Sequence, residues 1–286
     1  QHDSTRFANR KMITKSVSIF TILVILYTAI LIDVFPAWGM LILAMLFGIG
    51  VTIFLFNVGH DASHGAYSSS KKINKRLSYV WDLFGMSSYF WALKHNAAHH
   101  GYTNVHDHDL DIGHRYQHLY APLLYGLFGF FRYLILDFQM LRQRRFGNRY
   151  IKKHPFKKWS LMLYGKLFFL VYTLIIPMLA LDLPAWQVLI GFIAMLSVAG
   201  VYAVLILVPP HITEGRQYQE ADEHGEISGS WAEQQIQCTI DFNVRNRVVH
   251  WLTGGLNAHV CHHIFPNICH IHYRDLTKII QKTASE

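Results

Sequence analysis

Charge and cysteine are both scarce in this sequence. Charged residues make up 15% of its 286 residues and hydrophobic residues 52%, which is a low charge content for a soluble protein of this size. The three cysteines include no Cys-x-x-Cys pair, so they exclude a zinc ribbon or disulfide framework and predict a reducing compartment. The sequence also lacks a Gly-rich dinucleotide fingerprint and a cysteine set for an iron–sulfur cluster. Any redox reaction would therefore need electrons from another protein.

Four long apolar stretches dominate the sequence instead. They cover residues 16–32, 37–58, 159–181 and 185–208, and each approaches the roughly 20 residues that cross a bilayer. The first has no small-residue cleavage site after it, so we expect it to be an anchor. The predicted fold class is an all-α integral membrane protein with four transmembrane helices in two hairpins. We expect a single domain over residues 1–286.

The placement of charge orients these spans. The turns DVFPAWG and LDLPAWQ contain no Lys or Arg, although the chain has 26 basic residues and a net charge of +8. The positive-inside rule predicts that both termini are cytoplasmic, and that residues 59–158 and 209–286 form a cytoplasmic helical cap. Leu119 to Phe138 is apolar but interrupted by Pro122 and Arg132, so we expect a helix lying in the membrane interface. This asymmetry disfavours a soluble helical protein, and the spans make nucleic acid a poor explanation of the basic charge.

Histidine is concentrated in three clusters close to the ends of the predicted spans. They lie in the stretches GHDASH, HNAAHH and HVCHH. On an α-helix, spacings of three and four residues place side chains on one face, whereas His100 is expected to point well round the helix from its neighbours. Imidazole suits iron, copper or zinc, so eight such ligands predict two metal ions with positions left open for oxygen. The predicted ligands are His60, His64, His95, His99, His100, His259, His262 and His263.

Other residues near the clusters are candidates for supporting roles. His211 follows the fourth span and is either a ninth ligand or an interfacial residue. Asp61 lies inside the first cluster, and the motif DHDLDIG supplies Asp107, Asp109 and Asp111; carboxylates often accept the second N–H of a metal-bound histidine. A solvated acidic loop explains the last three equally well. Cys261 is expected to be a small packing residue. Six further histidines are predicted to lie beside the ligands or on the surface: His106, His108, His114, His118, His270 and His272. We assign no special role to His2, His154, His224 and His250.

The three clusters resemble the histidine boxes of the membrane fatty acid desaturase and hydroxylase superfamily. The residues in and around the boxes most resemble those of acyl-lipid and linoleoyl-CoA-type desaturases. The stretches concerned are GHDASHGAY, HNAAHHGYTNVHDHDLDIG and WLTGGLNAHVCHHIFPNICHIHY. The resemblance implies O₂-dependent desaturation of a fatty acyl chain at two iron ions, which zinc could replace in an overexpressed sample. It implies that the eight box histidines are ligands, that His211 is a further one, and that Asn257 holds a water near the metal. The substrate would be an acyl-CoA, an acyl-carrier protein or an acyl-lipid, and the donor a ferredoxin or cytochrome b5.

Two departures from the family pattern leave part of the function open. Front-end desaturases usually begin the third box with Gln, whereas this chain has His259, so the position of the new double bond is undetermined. The His-Pro-Gly-Gly haem loop of a fused cytochrome b5 domain is absent, so we expect a separate electron donor. Hydroxylation or acetylene formation on the same scaffold is the nearest alternative. A di-zinc membrane hydrolase and a bis-histidine haem carrier are less favoured, the latter because the boxes lie outside the spans.

Overall fold

The computed structural model describes residues 6–33, 35–105, 109, 117–213, 218, 220–222 and 227–285, with side chains from residue 124 in the segment that begins at 117. These residues are mostly helical, as predicted, with one short β-hairpin. In chain order the helices are α1 (Arg10–Leu31), α2 (Ala37–Ser63), α3 (Lys71–Ser78), α4 (Val80–Leu83), α5 (Ser88–Trp91), α6 (Gln117–Phe130), α7 (Leu136–Arg142), α8 (Phe156–Ala180), α9 (Ala185–Leu207), α10 (Pro209–Ile212), α11 (Trp231–Cys238), α12 (Arg247–Leu252), α13 (His259–Ile264) and α14 (Tyr273–Ser285).

Several of these helices contain π-helical turns, in which each hydrogen bond spans five residues. Such turns occur within α2 at Leu55–Gly59 and within α8 at Val171–Ile175. Another, Ala92–His99, continues α5, and a fourth, Phe131–Ile135, joins α6 to α7. A π-helical turn holds one extra residue and is frequent at functional sites. Two of the four adjoin or contain a histidine box.

Within the described residues, five helices are long and apolar enough to cross a membrane. Four of them, α1, α2, α8 and α9, match the predicted spans, which is the pattern of an integral membrane protein. The helices α2 and α9 each begin directly after the proline of a Pro-Ala-Trp turn, at Pro36 and Pro184. They pack closely, because Gly48 of α2 lies against the backbone of Met195. The fifth candidate, Leu124–Arg142, covers most of the segment that we predicted to lie in the interface.

The segment from α6 to the hairpin packs on α9 and returns to the second histidine box. Gly129 of α6 fits against the backbone of Leu196 in α9, where a β-carbon would lie 1.9 Å from the carbonyl oxygen. The hairpin pairs β1 (Arg145–Phe146) with β2 (Arg149–Tyr150) in antiparallel register. Its turn residue Gly147 packs on Tyr102 and on the backbone of Ala97. The hairpin therefore covers the π-helical turn that carries the second box.

The residues before α1 tie the first and third boxes together. The Cys269 N–H donates to the Arg6 carbonyl at 2.8 Å, and the Ala8 N–H donates to the Tyr67 carbonyl at 3.0 Å. The Nε2 of His272 lies 3.0 Å from the Phe7 carbonyl oxygen, to which a ring N–H donates. This N-terminal strap joins segments that are about two hundred residues apart in the chain.

Candidate metal centre

The first box forms the last turn of α2. The π-helical turn Leu55–Gly59 precedes His60, and the helix ends at Ser63 with His64 as its C-cap. Gly65 follows with a φ of 69°, in the left-handed region that favours glycine. His60 and His64 lie on one face, as predicted, with ring centroids 4.8 Å apart. Both side chains point into the protein interior. The sequence prediction of a continuing helix is therefore confirmed.

The second box differs from the prediction in one respect. Because Ala92–His99 is π-helical, the His100 N–H bonds the His95 carbonyl at 3.1 Å, and His100 lies nearly one turn above His95. The prediction that His100 points well round the helix was therefore wrong. Its ring lies 4.8 Å from the His95 ring and 4.4 Å from the His263 ring. The extra residue of the π-helical turn turns all three histidines of this box toward one centre.

The third box reaches the others through two glycines in left-handed conformation. Gly254 has a φ of 64° and Gly255 a φ of 76°, and a β-carbon on Gly254 would lie 2.5 Å from the Phe56 carbonyl oxygen. Only glycine allows this loop to pack directly on the π-helical turn of α2. The short helix α13 then starts at His259 and presents His262 and His263 to the other boxes.

The nine predicted ligands meet in one buried cluster. Two groups of four have all of their nearest ligand atoms within 4.8 Å of one another: His60, His64, His95 and His262, and then His99, His211, His259 and His263. A third group, His100 with His262 and His263, satisfies the same limit and connects the first two. The candidate ninth ligand His211 therefore lies inside the cluster, with its Nε2 2.7 Å from the His259 Nε2.

Burial keeps these rings in the neutral form that binds metal. Loss of hydration on burial lowers the pKa of His64 to about 4 and that of His259 to about 3. The same cause lowers the pKa of His95, His100, His211, His262 and His263 well below the ordinary value. Neutral imidazoles can approach closely, and several Nε2 atoms do: His60 and His95 at 3.0 Å, and His100 and His262 at 3.0 Å.

The second ring nitrogen of several histidines has a defined partner. Asp109 lies 3.1 Å from the Nδ1 of His99, as its predicted supporting role requires, and its carboxylate accepts the ring N–H. The Gln235 carboxamide oxygen lies 2.8 Å from the Nδ1 of His263, and the Leu256 carbonyl lies 2.9 Å from the Nδ1 of His259. Tyr273 lies 3.3 Å from the Nδ1 of His262 through its hydroxyl. These contacts fix ring orientation and leave Nε2 directed inward.

Two of these partners, Gln235 and Tyr273, were not predicted from the sequence. Both lie outside the boxes, on α11 and α14, and Gln235 also accepts a hydrogen bond from Thr103 at 2.9 Å. A glutamine or tyrosine at such a distance in sequence has no spacing that marks it. Only the fold brings them to the cluster.

Two other predicted supporting residues have different partners. The Asp61 carboxylate bonds the ring of His270 at 2.8 Å and its backbone N–H at 3.3 Å. Asn257 lies 3.0 Å from the Nδ1 of His250 and also accepts from Thr253 at 3.2 Å. Both residues support the loop around the third box. Cys261 packs in a small apolar cluster with Ala258 and Tyr273, as expected.

Several predictions fall on residues that the structure does not describe. Asp107 and Asp111 lie outside the described residues, as do His2, His106, His108, His114 and His224, and the side chain of His118.

His154 is buried between the Tyr89 hydroxyl, at 3.1 Å, and the Gln143 carbonyl, at 2.8 Å.

The donor set fits two bound metal ions. Among the described residues, the Nε2 of the box histidine His64 is buried without a hydrogen-bond partner. An unpartnered buried nitrogen is costly unless a ligand takes its lone pair or its proton. Eight imidazoles in two adjoining groups, connected by His100 as a ninth, match the preference of first-row transition metals for nitrogen ligands.

Comparison with known proteins identifies the family. The profile of the fatty acid desaturases matches residues 36–286. The chain belongs to the fatty acid desaturase family. It is similar to an sn-1 linoleoyl-lipid 6-desaturase of Synechocystis sp., with 34% identity over all of this chain and 84% of the relative. A protein of the same name from Arthrospira platensis is 30% identical over 97% of this chain and 79% of its own. An acyl-lipid (8-3)-desaturase of Mortierella alpina is 31% identical over 87% of this chain and 60% of its own.

Membership of the desaturase family makes this protein an enzyme. It is an oxidoreductase that introduces a double bond into a fatty acyl chain. The clustered histidines are compatible with a metal site for that reaction, and the apolar helices are those of a desaturase embedded in a membrane.

Proposed function

We propose that this desaturase acts on the acyl chain of a membrane lipid, with O₂ and a centre of two iron ions held by nine histidines. The observation that carries this proposal is the division of the cluster into two groups of four, connected by His100. Two groups fit two metal ions, and nine neutral ligands leave coordination positions open for oxygen. The relatives named above act on linoleoyl-lipid or acyl-lipid, and we propose an unsaturated lipid-linked chain as the substrate here.

Different residues of the chain would bind the metals, orient the ligand rings and exclude water. Iron, when bound, supplies the O₂ chemistry that removes a hydrogen from each of two adjacent methylenes. The nine imidazoles hold the metals, and Asp109 and Gln235 keep the rings of His99 and His263 in the tautomer that presents Nε2. The buried apolar residues around the end of α2 exclude water from this side of the histidine cluster.

We also propose a topology of four spans with both termini and the metal centre on the cytoplasmic side, in a single domain. Two contacts support a path in which the fifth apolar helix enters and leaves the membrane on the same side. Asp109, before α6, pairs with His99, and Gly147, after α7, packs on Ala97. Both ends of the intervening segment therefore return to the histidine side, as a helix that does not cross requires.

A separate acidic protein is the proposed electron donor. The segment after α7 carries exposed cations and no Asp or Glu, and its hairpin covers the second box. Complementary charge steers such carriers to their site.

Expression in a host with a compatible reductase tests the function directly. We expect a new double bond in the host fatty acids, seen by mass spectrometry, and its loss in His262→Ala, because His262 belongs to two of the three ligand groups. His272→Gln, outside the cluster, is the control and should retain activity. Purified protein should contain two iron ions, and the His262 variant fewer. A hydroxylated product, or equal activity in both variants, would contradict the proposal.

A further inference from the structure

Two tryptophans and a box histidine form a continuous stack beside the histidine cluster. The rings of Trp81 and Trp91 are nearly parallel, with centroids 4.0 Å apart and an angle of 19° between their planes. The Trp91 ring stacks in turn on the His95 ring at 4.9 Å and 27°. Rings at these separations are in van der Waals contact. The π systems therefore run without a gap from Trp81 to one of the predicted metal ligands.

The other end of the stack contacts the first box. The Trp81 Nε1–H donates to the hydroxyl of Ser63, the residue before His64, at 3.1 Å. A β-carbon on Gly59 would lie 2.9 Å from the Trp81 Nε1, so this glycine leaves the space that the indole occupies. The histidines of the first box and His95 belong to the same ligand group. The tryptophan pair therefore contacts both segments that supply this group.

Both indoles lie in packed core that is closed to water. Trp81 is 1% exposed and Trp91 is 8% exposed, and both belong to the apolar cluster around the end of α2. The Trp91 Nε1 is buried without a hydrogen-bond partner among the described residues. A phenylalanine would fill an apolar site without the cost of an idle N–H. An indole in this position therefore calls for a property other than volume.

The charged groups around the pair favour an added positive charge. The Arg132 guanidinium carbon lies 5.2 Å from the Trp91 ring centroid, but Asp137 pairs with Arg132 at 3.5 Å and with Lys166 at 2.8 Å. Asp82, next to the other tryptophan in the chain, has a buried carboxylate oxygen without a partner among the described residues. Loss of hydration raises the pKa of Asp82 to about 6, so the carboxylate is ionised at pH 7 but poorly stabilised. A positive charge on the neighbouring indoles would stabilise it.

We propose that Trp81 and Trp91 form a one-electron reserve, which spares the histidine ligands when the oxidised metal centre has no acyl chain to attack. The inference rests on the proposed function and adds a protective reaction to the same site. Trp91 gives one electron to the oxidised centre through His95, and the resulting radical cation is shared with Trp81. No bond breaks and no proton leaves, because the Trp81 N–H stays bonded to Ser63. The one-electron carrier that serves the desaturase returns the electron and restores the pair.

The chemistry of desaturation gives a reason for such a reserve. An oxidant that removes hydrogen from a methylene also oxidises the side chains around it when no substrate is bound. Indole loses an electron more easily than imidazole, so the stacked pair is oxidised before the ligands are. The rival group is Tyr273, whose hydroxyl lies 3.3 Å from the Nδ1 of His262. A phenol, unlike the indole pair, must lose its proton when it is oxidised, so the two sites give different radicals.

Radical spectroscopy on protein without substrate tests the proposal. The iron-loaded protein is reduced, exposed to O₂ without an acyl chain and frozen during the reaction. Electron paramagnetic resonance should show an organic radical whose hyperfine structure changes with ring-deuterated tryptophan and not with ring-deuterated tyrosine. Labelling leaves the fold unchanged, so this measurement does not depend on any variant. Zinc has no redox chemistry, so zinc-loaded protein should give no radical.

Substitutions separate the contributions of the two rings. We expect the radical to be lost in Trp91→Phe, and to be weaker and shorter-lived in Trp81→Phe, where one ring carries the whole charge. Asp82→Asn keeps an acceptor for the Ser88 N–H and removes the negative charge, so it should weaken the signal. The matched control is Trp186→Phe, at an exposed tryptophan in the first turn of α9, and it should keep the wild-type signal.

Peptide mass spectrometry measures the protection itself. After repeated reduction and exposure to O₂ without substrate, oxidised box histidines should accumulate severalfold faster in Trp91→Phe than in the wild type or Trp186→Phe, and bound iron should be lost in parallel. A radical that follows the tyrosine label, or one of wild-type size in folded Trp91→Phe, would overturn the proposal.

Product analysis of the same preparations keeps this inference apart from the proposed function. Protein that forms the new double bond but no tryptophan radical retains the proposed function and loses the reserve. Protein that binds no redox-active metal and forms no product loses both.

Discussion

At the scale of single residues, the metal centre depends on the hydrogen-bond partners of the Nδ1 atoms of several rings, as well as on the Nε2 atoms that face the cluster. Asp109, Gln235 and the Leu256 carbonyl each hold an Nδ1. Such partners fix the tautomer, and their loss typically weakens metal binding or activity about 10-fold to 100-fold. The same principle extends outward to His250, a buried histidine that supports the third-box loop through Asn257.

His250 should make stability depend on pH. Loss of hydration, with the nearby His270 as a smaller cause, lowers the pKa of His250 to about 4, against about 6.5 in an unfolded chain. The unfolded state therefore binds more protons between these values, and stability is present above pH 6.5 and lost as the pH falls toward 4. From this residue we expect the free energy of unfolding to fall by roughly 2 kcal/mol between pH 7 and pH 5.

The measurement is SDS unfolding in mixed micelles at several pH values, for the wild type and for His250→Gln. The variant should lose that part of the pH slope, whatever its stability at pH 7. Parallel slopes for the two proteins would show that His250 titrates alike in both states.

At the scale of elements, close helix contacts hold the apolar layer beneath the metal centre. Gly129 of α6 and Gly200 of α9 face each other across one such contact, where a β-carbon on Gly200 would lie 2.4 Å from the backbone nitrogen of Gly129. Backbone atoms cannot move aside as a flexible side chain can. The packing of α6 on α9 therefore needs glycine at these positions.

Two alanine substitutions on the same helix separate packing from helix propensity. Gly129→Ala would place a β-carbon 1.9 Å from the Leu196 carbonyl oxygen, and we expect it to destabilise the protein by roughly 1–3 kcal/mol. Gly126→Ala meets nothing within 4 Å and should be neutral or stabilising by roughly 0.5–1 kcal/mol. Melting temperatures in detergent measure both. Equal effects of the two changes would remove the packing argument.

The elements also show where prediction from sequence stops. Helices over the four predicted apolar stretches, and the shared face of His60 and His64, follow from composition and helical period, and both were found as expected. The position of His100 was not, because an extra residue in the turn Ala92–His99 is invisible to a period of 3.6. The partner roles of Gln235 and Tyr273 needed tertiary contacts between distant segments.

At the scale of the whole molecule, positive charge is concentrated over the second box. Arg142, Arg144 and Arg149 are exposed around the hairpin, and Gly147 packs on the helical turn that carries His95, His99 and His100. A donor bound here would be separated from the ligands by little more than that turn. This arrangement makes the hairpin the expected docking surface for an acidic electron carrier.

Neutralising this surface should slow electron delivery without changing the centre. For the triple variant Arg142→Gln, Arg144→Gln, Arg149→Gln we expect donor-supported turnover to fall about 10-fold at low salt, because steering by charge accelerates association by roughly 10-fold or more. Added salt should slow the wild type and affect the variant much less. Turnover with a small chemical reductant should be equal in both.

The matched control is Lys71→Gln, Lys72→Gln, Lys75→Gln on α3, which removes the same charge from another exposed basic segment. If this control slows turnover as strongly as the hairpin variant does, net charge rather than a docking surface accounts for the effect.

The N-terminal strap has a consequence for how this enzyme can be assembled with other proteins. Arg6, Phe7 and Ala8 bond directly to the segments of the third and first boxes, so whatever is joined ahead of Arg6 begins beside the centre. A carrier protein fused there through a short flexible linker would experience an effective concentration in the millimolar range. At such a concentration a docking surface with weak affinity is already well occupied, and electron delivery would no longer depend on how much carrier is free in solution.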